Sequence, residues 1–436
     1  MSRGATDRLG TPRPAPRTPG VRVVFDARPL QAPDRAPLAA AYIEGLLGAY
    51  DAAPLEGESF ALFLRSDLPD PTTRYGDLDV VGRRLLPPTR LLRAAGMTVD
   101  PFLLRGASLG VAWRADQSGA AGAVYHVIGG GPLPIAPGLP VVATLLDLAP
   151  WEMPSTFQQS IAARFGHRLR AQLLREAAAV IVGTEAVAEA ARRLLHIPRE
   201  RIRIVPLAPR RAFAARSTRG GERDAAALRA RLGLADRFLI VTGRFDARLD
   251  HGALLGALAS LGAQPRPPGL EATVAWPPQV LLAGASPDDR AAIARAASRH
   301  GVGESLVYAP ALSTEALAGL VRTARGAILP VLSEAAGLPV VEALASGTPV
   351  VASSVGALPE LVGRAGLLVE PREPERLATA IATIWADDTV YDRIASAARE
   401  RVKGRRRTWA DVASETRAIY AAVGARPRAG GTTATR

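Results

Sequence analysis

The residues best suited to chemistry lie between Leu329 and Glu360, in the run LPVLSEAAGLPVVEALASGTPVVASSVGALPE. A strand is predicted to end near Pro330, and Glu334 follows it in a loop. Gly337 stands just before a predicted helix over 338–346, and Glu342 comes eight residues after Glu334, inside that helix. A loop entering a helix offers free backbone N–H groups and the positive end of a dipole, which suit a phosphate. Here those amides belong to Ala336, Gly337 and Leu338. Carboxylates suit paired hydroxyls, because one carboxylate accepts two hydrogen bonds. Upstream, Arg244 follows a strand predicted at 238–242, and Arg248 lies four residues on. Cations there can stabilise negative charge on a bound group. The pattern suits a ligand carrying both a diphosphate and hydroxyls. Spacing alone would equally fit two solvated carboxylates at a helix end; the length of the run favours a site.

Such groups need a frame. Short apolar strands at 21–25, 60–64, 78–81, 123–128, 140–146, 179–182 and 202–205 alternate with helical patterns, among them 37–50, 185–195 and a long one over 155–178 opened by Ser155. The alternation restarts at 238–242 and continues with strands at 279–283, 306–308, 326–329 and 349–352. Continuous apolar strands between helices indicate parallel sheets covered on both faces. The expected fold class is therefore α/β, with two Rossmann-like, doubly wound domains facing across a cleft where a ligand sits outside the carboxyl ends of the strands. The expected organisation is a tail over 1–20, a first domain over 21–206, a linker over 207–222, and a second domain over 223–405. A helix over 406–424 packing back on the first domain and a tail over 425–436 complete it. Both tails are rich in Pro, Arg, Gly and Thr and read as disordered.

The run from Glu334 to Glu360 resembles the donor-binding signature of the retaining GT-B glycosyltransferases of family GT4. The matching residues are Glu334, Gly337-Leu338-Pro339, Glu342-Ala343-Leu344-Ala345, Gly347-Thr348-Pro349-Val350-Val351-Ala352-Ser353 and Gly356 through Glu360. The resemblance implies that Glu334 lies at the donor sugar and Glu342 at the ribose. It also implies that Arg244, in Val241-Thr242-Gly243-Arg244, meets the donor pyrophosphate. Further stretches are similar to the first half of the family: Phe25 to Gln31, Val124-Tyr125-His126, Thr144 to Leu148, Val182 to Glu185, Arg203 to Pro206, and Trp409 near the end. The likeness spans about residues 21–422. It implies transfer of a sugar from a nucleotide-diphosphate sugar to an acceptor hydroxyl, with retention, in the making of a cell-surface polysaccharide or glycolipid. It implies no cofactor and no metal.

Three features usual in the family are replaced. Its first-loop glycines are Ala36 to Tyr42 here, its histidine is Leu146, and its lysine is Leu249. Two readings follow. In one, the chain is a working transferase in which Arg244, Arg248 and the helix start at Gly337 carry the leaving group. His126 is then the remaining base near neutral pH, and Gly129-Gly130-Gly131 supply further amides. In the other, it is an impaired GT-B protein that binds a nucleotide sugar or partners an active transferase. For Arg248 an exposed charge is the favoured alternative, and for His126 a satisfied strand-end histidine.

Bulk composition narrows the classes. The chain has 436 residues, no cysteine and a net charge of +13 carried almost wholly by arginine, Lys403 being the sole lysine. Thiol chemistry and cysteine-held metals are excluded. An aromatic content of 5% speaks against a nucleic-acid surface built on stacking. No apolar run reaches the ~18 residues of a membrane span, and the start carries no apolar signal region, so the expected location is the cytoplasm. Arg83, Arg84, Arg90, Arg93 and Arg105 alternate with Leu85, Leu86, Leu91, Leu92, Phe102, Leu103 and Leu104. The helix predicted from Ser155 carries Arg164, His167, Arg168, Arg170 and Arg175. Such basic-apolar surfaces suit peripheral contact with an anionic membrane and a glycan or lipid-linked acceptor.

Overall fold

The computed structural model describes residues 20–86, 101, 104–105, 122–214, 218–403 and 406–424. Both predicted tails, apart from residue 20, lie outside these, as do Arg90, Arg93, Leu91, Leu92, Phe102 and Leu103 of the basic-apolar stretch. The strands are β1 (Arg22–Asp26), β2 (Ser59–Arg65), β3 (Val80–Leu86), β4 (Ala123–Ile128), β5 (Val141–Thr144), β6 (Ala179–Val182) and β7 (Ile202–Ile204), then β8 (Leu239–Val241), β9 (Val280–Ala283), β10 (Leu306–Ala309), β11 (Gly326–Leu329), β12 (Val350–Ser353) and β13 (Gly366–Val369). They form a 7-stranded sheet, ordered β3-β2-β1-β4-β5-β6-β7, and a 6-stranded sheet, ordered β10-β9-β8-β11-β12-β13. Every ladder is parallel. Each sheet is covered on both faces by apolar clusters, which is why the central strands are buried along their whole length. The strand β13 has no counterpart in the sequence reading.

Two local differences have plain causes. The helix expected from Ser155 is broken: Pro154–Phe157 is a single turn, and the long helix runs Ile161–Glu176. Its cap is Ser160, whose side chain accepts from the Ala163 amide, not Ser155. The stretch predicted as a linker is more structured than its composition suggests. Leu207 and Ala208 are buried in the first domain's core and Phe213 in the second's, while Thr218 caps a helix over Arg219–Arg231.

The final helix, Trp409–Gly424, returns to the first domain. Trp409 stands edge-on to Tyr42 at 5.3 Å between ring centres. Arg417 pairs with the buried Glu58, and Gly424 lies against Val21 and Val124. Among the described residues no helix is long and apolar enough to cross a membrane.

Candidate functional site

The cleft between the domains holds a cavity of about 1100 Å³. Its floor is built from the carboxyl ends of β5, β8, β9, β10 and the loop after β11, as the topology requires. Arg244, Arg248, Glu334, Leu338 and Glu342 all line it, together with Leu146 and Asp147 from the first domain.

Glu334 hangs in the loop after β11. Its Oε1 accepts from the amides of Ala336 (3.0 Å) and Gly337 (2.8 Å). Two of the three amides expected to face a phosphate, those of Ala336 and Gly337, are thus held by the protein's own carboxylate. Gly337 caps the helix Leu338–Ala345 at φ 66°, where a side chain would also meet Leu361 Cδ1 at 2.1 Å. Burial pushes the Glu334 carboxyl up, and the two amides partly offset this.

Glu342 is 4% exposed. Arg210 grips it with two hydrogen bonds, Nε to Oε1 at 2.5 Å and Nη2 to Oε2 at 2.9 Å, and donates to Thr314 Oγ1 at 3.3 Å. Burial raises the Glu342 carboxyl and Arg210 pulls it back; Glu342 in turn holds the guanidinium firmly charged. Sequence reading missed Arg210, because it sits in a segment taken as linker.

Arg244 is half-exposed and donates from Nε to Asp246 Oδ2 at 3.0 Å. Arg248 departs from the exposed charge favoured by its neighbourhood, being 8% exposed. It pairs with Asp246 beside it and with Asp147 across the cleft, and its guanidinium lies 4.6 Å from the Phe157 ring centre. Burial lowers the Arg248 pKa, but the two carboxylates outweigh it and the group stays charged. Burial likewise pushes Asp246 up, and Arg248 and Arg244 more than offset this. Leu249, at the lysine position, points the other way: it is 4% exposed, bridges to Val331 and belongs to the second domain's core.

Two expectations are corrected by the geometry. His126 is fully buried in β4, with Nδ1 2.6 Å from Tyr420 Oη and Nε2 2.7 Å from Thr144 Oγ1. Burial depresses its pKa to about 3. It is a neutral core residue that faces no part of the cleft, so it is not a base. Gly129-Gly130-Gly131 do not line the cavity either. Gly129 donates its amide to Thr144 and accepts from Arg170. Arg170 is thereby buried, while Arg164 and Arg168 of the same helix stay exposed.

Comparison with known proteins fits this frame. Residues 236–387 match the family described as glycosyl transferases group 1. A D-inositol 3-phosphate glycosyltransferase of Streptomyces griseus is 34% identical over 201 residues, 45% of this chain and 42% of that protein. The MMP alpha-(1->4)-mannosyltransferase of Mycolicibacterium hassiacum is 37% identical over 128 residues, 28% of this chain and 30% of that protein. The chain thus spans less than half the length of these curated relatives. The structure of Anabaena Alr3699/HepE in complex with UDP and glucose superposes with a TM-score of 0.65 at 17% identity, covering 92% of this chain and 100% of that one. That likeness is one of fold. The chain has a GT-B fold, and residues 236–387 of its second domain resemble the glycosyl transferases of group 1.

Proposed function

We propose that the chain transfers a sugar from a nucleotide-diphosphate sugar to an acceptor hydroxyl, with retention at the anomeric carbon. The observation that carries this reading is the convergence of Arg244, Arg248, Glu334 and Glu342 on one cavity between the domains. The bond from the anomeric carbon to the phosphate oxygen breaks, and the diphosphate leaves with the electron pair. The acceptor oxygen bonds to that carbon and gives up its proton. Arg244 and Arg248 neutralise charge as it develops on the departing phosphate, without a resident metal ion. Glu334 and Glu342 accept hydrogen bonds from sugar and ribose hydroxyls. With His126 in the core, the acceptor proton passes to a carboxylate of the cleft or to the departing phosphate oxygens. A UDP-bound neighbour of the same fold supports the ligand class, and the names of the curated relatives support sugar transfer.

The acceptor in this reading is a glycan or lipid-linked hydroxyl, met at the cytoplasmic face of a membrane. Ile161 is 79% exposed and Phe165 57% exposed on the helix Ile161–Glu176, beside the exposed Arg164 and Arg168. That surface suits an anionic bilayer. Salt-sensitive sedimentation with anionic liposomes tests it.

The central test is product formation from UDP-, GDP- and ADP-sugars. Activity is expected to disappear in Glu334→Ala and Arg244→Ala, to survive in His126→Gln, and to persist in a chelator. Absence of nucleoside diphosphate binding by calorimetry would end the reading. The second reading, an impaired GT-B protein that binds nucleotide sugar or partners an active transferase, draws on Leu146 in the cavity wall and on the carboxylates already engaging Arg248 and the Gly337 amide. It expects binding without turnover on any acceptor.

A further inference from the structure

Among the described residues, Arg248 is the most buried arginine lining the cavity, and each of its three guanidinium nitrogens already donates to a carboxylate. A guanidinium offers five N–H donors in a fixed fork. Nε reaches Asp147 Oδ1 at 3.3 Å and Nη2 donates to Asp147 Oδ2. Nη1 donates to Asp246 Oδ2. Asp246 lies two residues away on the same loop and also holds Arg244. Asp147 comes from the other domain, at the end of β5, and its Oδ1 also accepts from the Ala149 amide at 3.0 Å. A bidentate carboxylate on a guanidinium presents nearly the same face as a phosphate would.

We propose that Asp147 is a specificity-determining residue: it occupies Arg248 across the cleft as a phosphate would, so an incoming anion must displace it to gain both cations. This rests on the reading that a diphosphate binds at Arg244 and Arg248. A multiply charged group competes well for Arg248 against a single carboxylate, and a neutral nucleoside gains nothing from doing so. The pair therefore makes the cleft discriminate by ligand charge. It also couples ligand entry to the domains, since the displaced contact is one that joins them.

Calorimetric titration tests the proposal, using UDP and GDP with uridine and guanosine as uncharged controls. Asp147→Asn removes the charge and keeps an oxygen for the Ala149 amide; Asp147→Ser does the same with a smaller side chain if the first variant fails to fold. Either is expected to bind the diphosphate about tenfold tighter, a modest share of the coupling measured between close charge pairs, and the nucleoside no differently. The gain should vanish in an Arg248→Gln background. Unchanged or weaker diphosphate binding in a variant that melts like the wild type overturns the proposal. So does an equal gain for the nucleoside, or a gain that survives Arg248→Gln. If neither diphosphate binds wild type or variant, the donor reading falls too; if both proteins bind equally, only this inference falls.

Discussion

Replacing His126 with glutamine should change how stability depends on pH. The imidazole is fully buried between Tyr420 and Thr144, and burial depresses its pKa to about 3 from an ordinary 6.5. Between those values the unfolded chain takes up a proton that the folded chain refuses. Stability supplied by the neutral ring is fully present above the unfolded pKa and is lost as pH falls below it. The loss runs at about 1.4 kcal/mol per pH unit, so by pH 4.5 it reaches roughly 2.7 kcal/mol. Glutamine has no such proton. It also leaves one of the two hydroxyl partners poorly bonded, which costs about 1–3 kcal/mol at neutral pH. The variant should therefore be the weaker protein at pH 7.5, and the gap should narrow below pH 6.5 and close near pH 5. Urea melts followed by tryptophan fluorescence read this, since Trp409 packs on Tyr42, whose hydroxyl lies 3.4 Å from Thr144 Oγ1. A gap that stays constant from pH 7.5 to 4.5 would refute the reasoning, because the ring would then be protonating in the folded state.

Three further substitutions bear on the site and its frame. Arg210→Gln leaves Glu342 buried without its counter-charge and should cost about 3 kcal/mol in chemical denaturation; Arg210→Met with Glu342→Leu should recover most of that stability without recovering nucleotide binding. Gly356→Ala places a methyl 1.9 Å from the Glu334 carbonyl oxygen at φ 52°, so the Glu334 loop must move; calorimetry should show nucleotide affinity falling at least tenfold. Gly45→Ala drives a methyl to 2.2 Å from the Trp409 ring. It should lower first-domain stability by about 1–3 kcal/mol and shift the tryptophan emission.

Much of the frame could be read from the chain because strands buried on both faces show as unbroken apolar runs. β4 illustrates both the strength and the limit of that signal. The same pattern that marks Ala123–Ile128 as buried places His126 inside it, and a histidine in such a strand faces the core on either side of the sheet. β13 escaped because Gly366–Val369 is a short, half-exposed strand. The helix Arg219–Arg231 escaped because its first turn reads Arg-Gly-Gly-Glu, a composition typical of loops, and the Thr218 cap outweighs it. Glu334, Gly337 and Glu342 were legible because their run is local in sequence, and Arg244 because it directly follows a predicted strand. Their partners were not. Arg210 lies 132 residues from Glu342 and Asp147 lies 101 from Arg248, and nothing in the spacing of one hints at the other. Only the packing of two domains brings them together.

That packing raises a question about an arginine-rich chain. Why should a cleft suited to an anion hold so many carboxylates? Each guanidinium stays charged at any working pH. Left unpaired between two domains, several of them would repel one another and attract small anions. Asp147, Asp246 and Glu342 answer that repulsion pair by pair. On the proposed reading, a diphosphate enters by exchange with a protein carboxylate, into a cleft whose paired charges largely cancel beforehand. Long-range attraction is then weak, and screening has little to remove. Diphosphate affinity should therefore fall only gently with rising salt in the wild type. It should fall more steeply in Asp147→Asn, where one cation is uncovered. Titrations from about 50 to about 500 mM salt, over which the Debye length falls from about 14 to about 4 Å, measure both slopes. Equal slopes would mean that Asp147 does not set the field the ligand meets.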